Sequence, residues 1–338
     1  MRQVWIPKIG KPEVLEVREA PDPEPGPGEV RIRVRAAGVN FADIMARMGL
    51  YPDAPPLPCV VGYEVAGTVD AVGAGVTDLE AGARALTLTR FGGYSDTVVV
   101  PRGQVQPLPD ALSFEQGAAL PVNYLTAWLM LVHLGNVQRG DKALVHAVAG
   151  GVGQAATQIC RWRGVEVLGT ASKGKHARLR EVGVAHPIDY HTQDFEAEVR
   201  RITNGRGVEV VLDAVGGKSF QKSTRCLAPM GRLFVFGMSS FAPGKRRSLL
   251  SAAKGWFQLP SWGPVELMNE NHGVFGVNLG HLWSEGERLS AMMAEIVRLT
   301  AEGHFAPVID QTFPFERAAE AHAYLQDHKN FGKVLLTP

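Results

Sequence analysis

Residues 142–153 read KALVHAVAGGVG, and this stretch decides the fold. Its first half, Lys142 to Ala147, is a short apolar run of strand character. Its second half is a glycine-rich turn ending in Gly150, Gly151, Val152 and Gly153. Residues 152–163 then read as a helix, because Val152, Ala155, Ala156, Ile159 and Cys160 fall on one face. Glycines at such a strand–helix turn let backbone approach a pyrophosphate. The helix start offers free N–H groups and partial positive charge to the anion. The string is GGVG rather than GxGxxG, so its weight comes from the strand–turn–helix context. A tight turn without a ligand is the competing reading.

Downstream, strand and helix patterns alternate. Strands are expected at 166–170, 208–213, 232–237 and 273–279, helices at 175–182 and 284–302, and a terminal strand at 334–337. Strand–helix alternation means a parallel sheet with right-handed crossovers, an α/β fold. Upstream the character differs. Residues 30–36 (VRIRVRA) alternate apolar and polar, the period of a half-buried strand, after a stiff PDPEPGPG loop at 21–28. Residues 65–72, 83–88 and 94–100 are further strand candidates. Short strands with frequent turns suggest a small barrel or sandwich, and the change comes near Pro121.

A chain of 338 residues suggests two domains. A formal net charge of +1 gives no broad field for nucleic acid or a membrane surface, so a small-molecule partner is expected. Cys59, Cys160 and Cys226 are too few and too scattered for a disulfide framework or a structural zinc site. With no basic-then-apolar leader at the N-terminus and no apolar run of membrane-spanning length, a cytoplasmic location is expected.

The end of the second strand sets the dinucleotide preference. An NAD site places an acid about 20 residues on, against the ribose 2′-hydroxyl. Counting from Gly150 reaches Thr170, Ala171 and Ser172, with Lys173 and Lys175 after them. A hydroxyl with lysines suits a 2′-phosphate, so Ser172 and Lys175 point to NADPH. The competing reading makes Ser172 a helix cap and the lysines solvated.

Several further strings run in order along the chain: AGVNFAD at 37–43, GLYP at 49–52, GYEVAG at 62–67, AVAGGVGQAATQ at 147–158, DAVGG at 213–217 and FGKV at 331–334. Together they resemble the zinc-free quinone oxidoreductases of the medium-chain dehydrogenase/reductase family. LPVNYLTA at 120–127, HPIDYH at 186–191 and the stretch around Gly244, Lys245, Arg246 and Arg247 are similar to its vesicle amine transport protein homologue branch. The resemblance implies a GroES-like β-rich catalytic domain split in sequence (1–121 and 281–338) around a Rossmann NADP-binding domain (122–280). That domain would be a doubly wound sheet of six parallel strands. The terminal strand would rejoin the first domain, and a homodimer would pair edges through the strand at 273–279. Zinc-using relatives carry a Cys where Asn40 stands and a His where Tyr63 stands. The region from Arg90 to Tyr94 is too short for their cysteine lobe. No metal site is therefore expected.

The resemblance also implies site roles. Asn40 would be the polar residue at the nicotinamide face, against a plain reading in which it closes a loop after a strand. Tyr51 and Tyr63 would line the pocket and donate to a substrate oxygen, against a reading as buried aromatics with satisfied hydroxyls. A Tyr that some relatives carry five positions after the Asn is Met45 here. Tyr124 and Thr126 would lie against the nicotinamide, and Tyr190 with Lys175 near the adenine or 2′-phosphate. Gly237, Val277 and Asn330 are expected at strand ends facing the cleft. The expected activity is NADPH-dependent reduction of quinones or related activated carbonyls. Reduction of an alkenal or 2-enoyl C=C bond is the alternative enzyme reading. A third reading is a slow NADPH-binding protein with a lipid-linked role. It is motivated by SLLSAAKGWFQLPSWGPVELM at 248–268, whose aromatic residues follow three basic ones. That segment reads as a substrate lid, a peripheral lipid contact or an insertion packed on the core.

Overall fold

The computed structural model describes every residue except Pro243, residues 245–252 and Lys254. The basic triplet and the first part of the aromatic segment therefore lie outside the described residues. The described chain divides into two compact units. One contains Met1–Leu125, Gly244 and Gly280–Pro338; the other contains the remaining described residues between Thr126 and Leu279.

The first unit holds strands β1 (Arg2–Ile6), β2 (Glu16–Glu19), β3 (Glu29–Val39), β4 (Cys59–Val60), β5 (Glu64–Val72), β6 (Arg84–Leu88), β7 (Thr97–Pro101) and β8 (Val105–Pro107). The second holds β9 (Lys142–Val145), β10 (Glu166–Ala171), β11 (His186–Asp189), β12 (Val208–Asp213), β13 (Leu227–Val235) and β14 (Gly273–Gly276). Strands β15 (Ile309–Pro314) and β16 (Lys333–Thr337) return to the first unit. Helices α1 (Phe41–Arg47), α2 (Phe114–Ala119), α3 (Pro121–Trp128) and α4 (Gly151–Arg163) carry or adjoin the site residues.

In the first unit, a seven-stranded sheet runs β15-β16-β3-β5-β6-β8 with β7 also on β3, beside a small sheet β2-β1-β4. Strand β3 is the hub of this sheet, pairing with β16, β5 and β7. Val30, Ile32 and Val34 point inward and Arg31, Arg33 and Arg35 outward, but from Ala36 to Val39 every residue is buried. Register shifts near Arg31 and Val34 bend the strand at that change. The core gathers Val4, Ile6, Val30, Ile32, Val65, Tyr94 and Phe315. Each fully buried aliphatic of this kind contributes roughly 1.5–3 kcal/mol. Strand β16 pairs antiparallel with β3, so the C-terminal segment completes this sheet, as expected.

In the second unit the order is β11-β10-β9-β12-β13-β14, and every pairing is parallel. This is the doubly wound sheet the alternation pointed to. Order reverses between β9 and β12, where sheets of this kind bind ligands at their carboxyl ends. Boundaries moved for local reasons. The strand expected over 142–147 stops at Val145 because Ala147 turns to φ 50°. The strand expected over 273–279 stops at Gly276, one residue before its last backbone bond, Val277 N–H to the Val235 carbonyl. The strand expected at 232–237 is instead Leu227–Val235, extended at its start by pairing with Val208. Strands β1, β2, β4, β8, β11 and β15 carry too few alternating positions to stand out in sequence. No described helix is long and apolar enough to cross a membrane.

Candidate functional site

In the second unit the glycine-rich turn leads directly into α4. Gly150 is its N-cap, and the first intrahelical bond runs from Gln154 N–H to the Gly150 carbonyl, 2.9 Å. The N–H groups of Gly151, Val152 and Gly153 are thus left for an outside acceptor. A Cβ on Gly153 would sit 2.5 Å from the Val148 carbonyl oxygen, so only glycine lets the helix start this close to β9. These two features fit a dinucleotide pyrophosphate: free donors on the axis of a helix dipole, and a backbone cradle that a side chain would fill.

At the end of β10, Ser172 is the extended N-cap residue of a short 3-10 turn over Lys173–Lys175, and its side chain makes no capping bond there. Lys175 is half-buried in the turn that follows. Beyond β11, Tyr190 is 47% exposed, and its ring lies 4.3 Å from that of His191. Gly237 follows β13, packed so that a Cβ would lie 3.0 Å from the Ala214 carbonyl oxygen. Val277 is buried just past β14. Thr126 is buried in α3. Asn330 corrects one expectation: it lies in the first unit, ahead of β16 rather than at the end of a parallel strand, and its amide donates to the Gly332 carbonyl at 2.9 Å. Tyr124, also in the first unit, is buried with its ring against Phe305.

The first unit holds a buried polar cluster. Asn40 precedes α1, and its side-chain amide is used at both ends. Nδ2 donates to Glu64 Oε1 at 2.9 Å, and Oδ1 accepts from Lys333 Nζ at 2.7 Å. Lys333 also pairs with Glu64, and both side chains are almost wholly buried. The other Glu64 oxygen accepts the Val122 N–H at the start of α3, 2.7 Å. A Cβ at Gly38 would collide with the Glu64 carboxylate, which is why β3 carries glycine there. Buried charges must be paired and hydrogen-bonded, and this pair is.

Asp43 is fully buried on α1. It accepts the N–H groups of Asn40 (2.8 Å) and Gly62 (3.0 Å) and the Tyr94 hydroxyl (3.0 Å). Burial pushes its carboxyl up to about 7, against the pull of these donors and of Lys333. Behind Tyr94 stand His322, 3.1 Å away, and then the buried guanidinium of Arg47, 3.0 Å from the His322 ring. Arg47 also reaches Gln326, whose amide donates to the Gly244 carbonyl at 2.7 Å.

Tyr63 is 9% exposed, and its buried hydroxyl makes no hydrogen bond of full geometry among the described residues, although the Tyr51 phenol lies within its reach. Burial first, then the Asp43 carboxylate and the Tyr51 phenol, hold its pKa well above the ordinary value. It stays a proton donor at any working pH. Phe91 lies 5.3 Å and Tyr51 6.3 Å from its ring, centroid to centroid. A buried donor without a full hydrogen bond, in an aromatic setting, suits an acceptor oxygen on a flat ligand.

Sequence reasoning missed Glu64, Lys333 and Asp43 as site residues. Two of them left a trace: a glutamate inside a run of buried β5 residues, and a lysine opening the apolar VLL of β16. Charged residues at positions of core periodicity are worth pairing in advance. The aromatic segment divides. Trp262 donates to Thr224 at 3.0 Å and packs on Phe220, whereas Trp256 and Phe257 are 66% and 87% exposed. Among the described residues no group of three or more His, Cys, Asp or Glu could hold a metal ion.

Comparison with known proteins adds the following. Residues 26–110 match the family described as alcohol dehydrogenase GroES-like domain, and residues 182–336 match zinc-binding dehydrogenase. The chain is 46% identical over 304 residues to the synaptic vesicle membrane protein VAT-1 homolog of Homo sapiens, covering 90% of this chain and 77% of that protein. It superposes on Escherichia coli quinone oxidoreductase complexed with NADPH with a TM-score of 0.88 at 30% identity, covering 100% of both chains. CurK enoyl reductase gives a TM-score of 0.86 at 28% identity, covering 99% of this chain and 98% of that one.

Proposed function

Because the chain belongs to the medium-chain dehydrogenase/reductase superfamily and is an oxidoreductase of that kind, we propose that it uses NADPH to reduce quinones or related activated carbonyl compounds without a metal. The bound dinucleotide supplies the hydride; everything else is the work of this chain's residues. In the second unit, Gly150, Gly151, Val152 and Gly153 hold the pyrophosphate. Ser172 and Lys175 receive the 2′-phosphate in a turn with no acid at the end of β10, and Tyr190 offers a stacking face.

The observation that carries the substrate reading is the buried hydroxyl of Tyr63, which makes no full hydrogen bond among the described residues and has only aromatic rings beside it in Tyr51 and Phe91. It donates to the carbonyl oxygen and stabilises the charge that grows there, a contribution worth about 10²–10³ in rate for one such donor. Tyr51 and Phe91 flank the Tyr63 ring, and Tyr51 shares the binding of a flat substrate. Asn40 is clamped by Glu64 and Lys333 and gives the wall its polar edge. The metal-free reading has its own support. The Lys333 ammonium already lies against Asn40 and Glu64, so a metal cation there would face like charge. Strand β14 pairs only with β13 among the described strands, and we assign its free edge to a homodimer.

The likeness to an enoyl reductase favours one second reading, reduction of a C=C bond conjugated to a carbonyl, in which Tyr63 would contact the same oxygen. Titration with NADPH and NADH, followed by 1,4-benzoquinone, 9,10-phenanthrenequinone and a 2-alkenal, separates the two. We expect NADPH-selective binding and faster turnover of quinones. Faster alkenal turnover would transfer the assignment to the second reading. Tyr63→Phe should cut kcat/KM for the better substrate about 10²-fold. Unchanged turnover in this variant would remove Tyr63 from the chemistry.

A further inference from the structure

Asp213 ends β12, on the strand beside β9 where the sheet order reverses. Its Oδ2 accepts the hydroxyls of Ser219 and Ser223, each at 2.7 Å. Its Oδ1 accepts the N–H groups of Val215 (2.7 Å) and Gly216 (3.4 Å). Counting protons gives the rest of the network a direction. Ser223 has one proton and gives it to Asp213. Its oxygen must therefore accept at its other contact, His146 Nε2, 3.0 Å away. A neutral imidazole carries one N–H, so Nδ1 is an acceptor and takes the Thr170 hydroxyl proton at 3.1 Å. With its proton given away, the Thr170 oxygen accepts the Ala147 N–H at 3.3 Å.

The far end of this chain is the turn ahead of α4. Ala147 is a non-glycine residue at φ 50°, a conformation that costs free energy unless the surroundings impose it. Its carbonyl accepts the Gly150 N–H at 2.9 Å, so holding Ala147 holds the N-cap of α4. Thr170 grips the same turn a second time, its carbonyl accepting the Val148 N–H at 3.2 Å. The His146 ring is fully enclosed, with Phe195 edge-on at 4.6 Å. Burial holds its pKa below the ordinary value despite Asp213 Oδ2 at 3.8 Å, which keeps the imidazole neutral.

We infer that Asp213 is a positioning residue for the dinucleotide. Through Ser223, His146 and Thr170 it sets the turn at 147–150, and through its other oxygen it sets the turn at 215–216. One carboxylate thereby shapes the turns that end two neighbouring strands at the switch point. This rests on the reading of the 147–153 turn as the pyrophosphate site. The hydrogen-bond direction, however, is tested without any ligand.

The test uses the full chain. Histidine 15N spectra of the ligand-free protein should show His146 neutral with its proton on Nε2, and Ser223→Ala should disturb that tautomer. In binding titrations Ser223→Ala should weaken NADPH and NADH alike, by about tenfold, the loss of one strong hydrogen bond. Ser219→Ala removes a donor from the same carboxylate but breaks no link to His146, and should weaken both cofactors far less. A proton on Nδ1 would overturn the relay, and so would equal losses in the two serine variants. Failure of the wild-type protein to bind either dinucleotide would sink the cofactor reading and, with it, this role; the tautomer result would tell that case apart.

Discussion

Each unit of the molecule contains a histidine relay that ends on a buried aspartate, and the two differ in what stands at the start. In the first unit the line runs from Arg47 through His322 and Tyr94 to Asp43. In the second it runs from the Ala147 amide through Thr170, His146 and Ser223 to Asp213. Both carboxylates also hold two backbone N–H groups, those of Asn40 and Gly62 for Asp43 and those of Val215 and Gly216 for Asp213. The first relay begins at a full positive charge that has been taken out of water; the second begins at a neutral dipole. The first should therefore be costly to break and sensitive to pH, and the second milder and insensitive. His322 illustrates the cost: burial and then the adjacent Arg47 push its pKa well below the ordinary value, so it serves as a neutral link.

Three substitutions probe this contrast. Arg47→Met removes the buried guanidinium and strands His322, Gln326 and the Gly10 carbonyl. At about 1–3 kcal/mol for each buried group left unpaired, the loss should be roughly 3 kcal/mol or more in denaturant unfolding. A loss below about 1 kcal/mol would erase the distinction between the relays. Thr170→Val breaks the neutral relay at its middle and should cost about 1–2 kcal/mol; a cost matching that of Arg47→Met would mean that charge is not what separates them.

The third probe is a slope with pH rather than a single loss. The Asp43 carboxyl is raised to about 7 from 3.8, so the folded state holds its proton more tightly than the unfolded state. The stability this lends is present below pH 3.8 and is lost as pH rises towards about 7. Relative to Asp43→Asn, wild-type protein should lose up to about 1.4 kcal/mol per pH unit across that window. A difference that stays flat with pH would show Asp43 ionised in the fold, and the first relay would then be as insensitive as the second.

The second unit was the more legible in sequence. All of its strands but β11 read as short apolar runs, so strand β12 was placed to the residue and α4 to within one. The glycine turn was legible because glycine there has a steric cause, the approach of Gly153 to Val148. The first unit was legible only as β-rich. Its strands bend, share residues between faces and close with a segment from the far end of the chain, and no local pattern records that. Of its site residues, Asn40, Tyr51 and Tyr63 came from family resemblance. Glu64, Lys333 and Asp43 escaped because a charged residue in a buried strand or helix is explained only by its partner.

The sequence alone determined the class of the fold, the place of the glycine turn and the absence of an acid at the end of β10. The last two are carried by residues within about 30 positions of one another, and the first by short patterns repeated along the chain, so that periodicity, glycine sterics and charge act locally in each. The tertiary structure alone decided which polar groups meet. Lys333 reaches Asn40 across 293 positions of sequence, and Arg47 reaches His322 across 275. The energy of such a pair depends on burial and on the direction of each proton, and neither exists until the chain has folded.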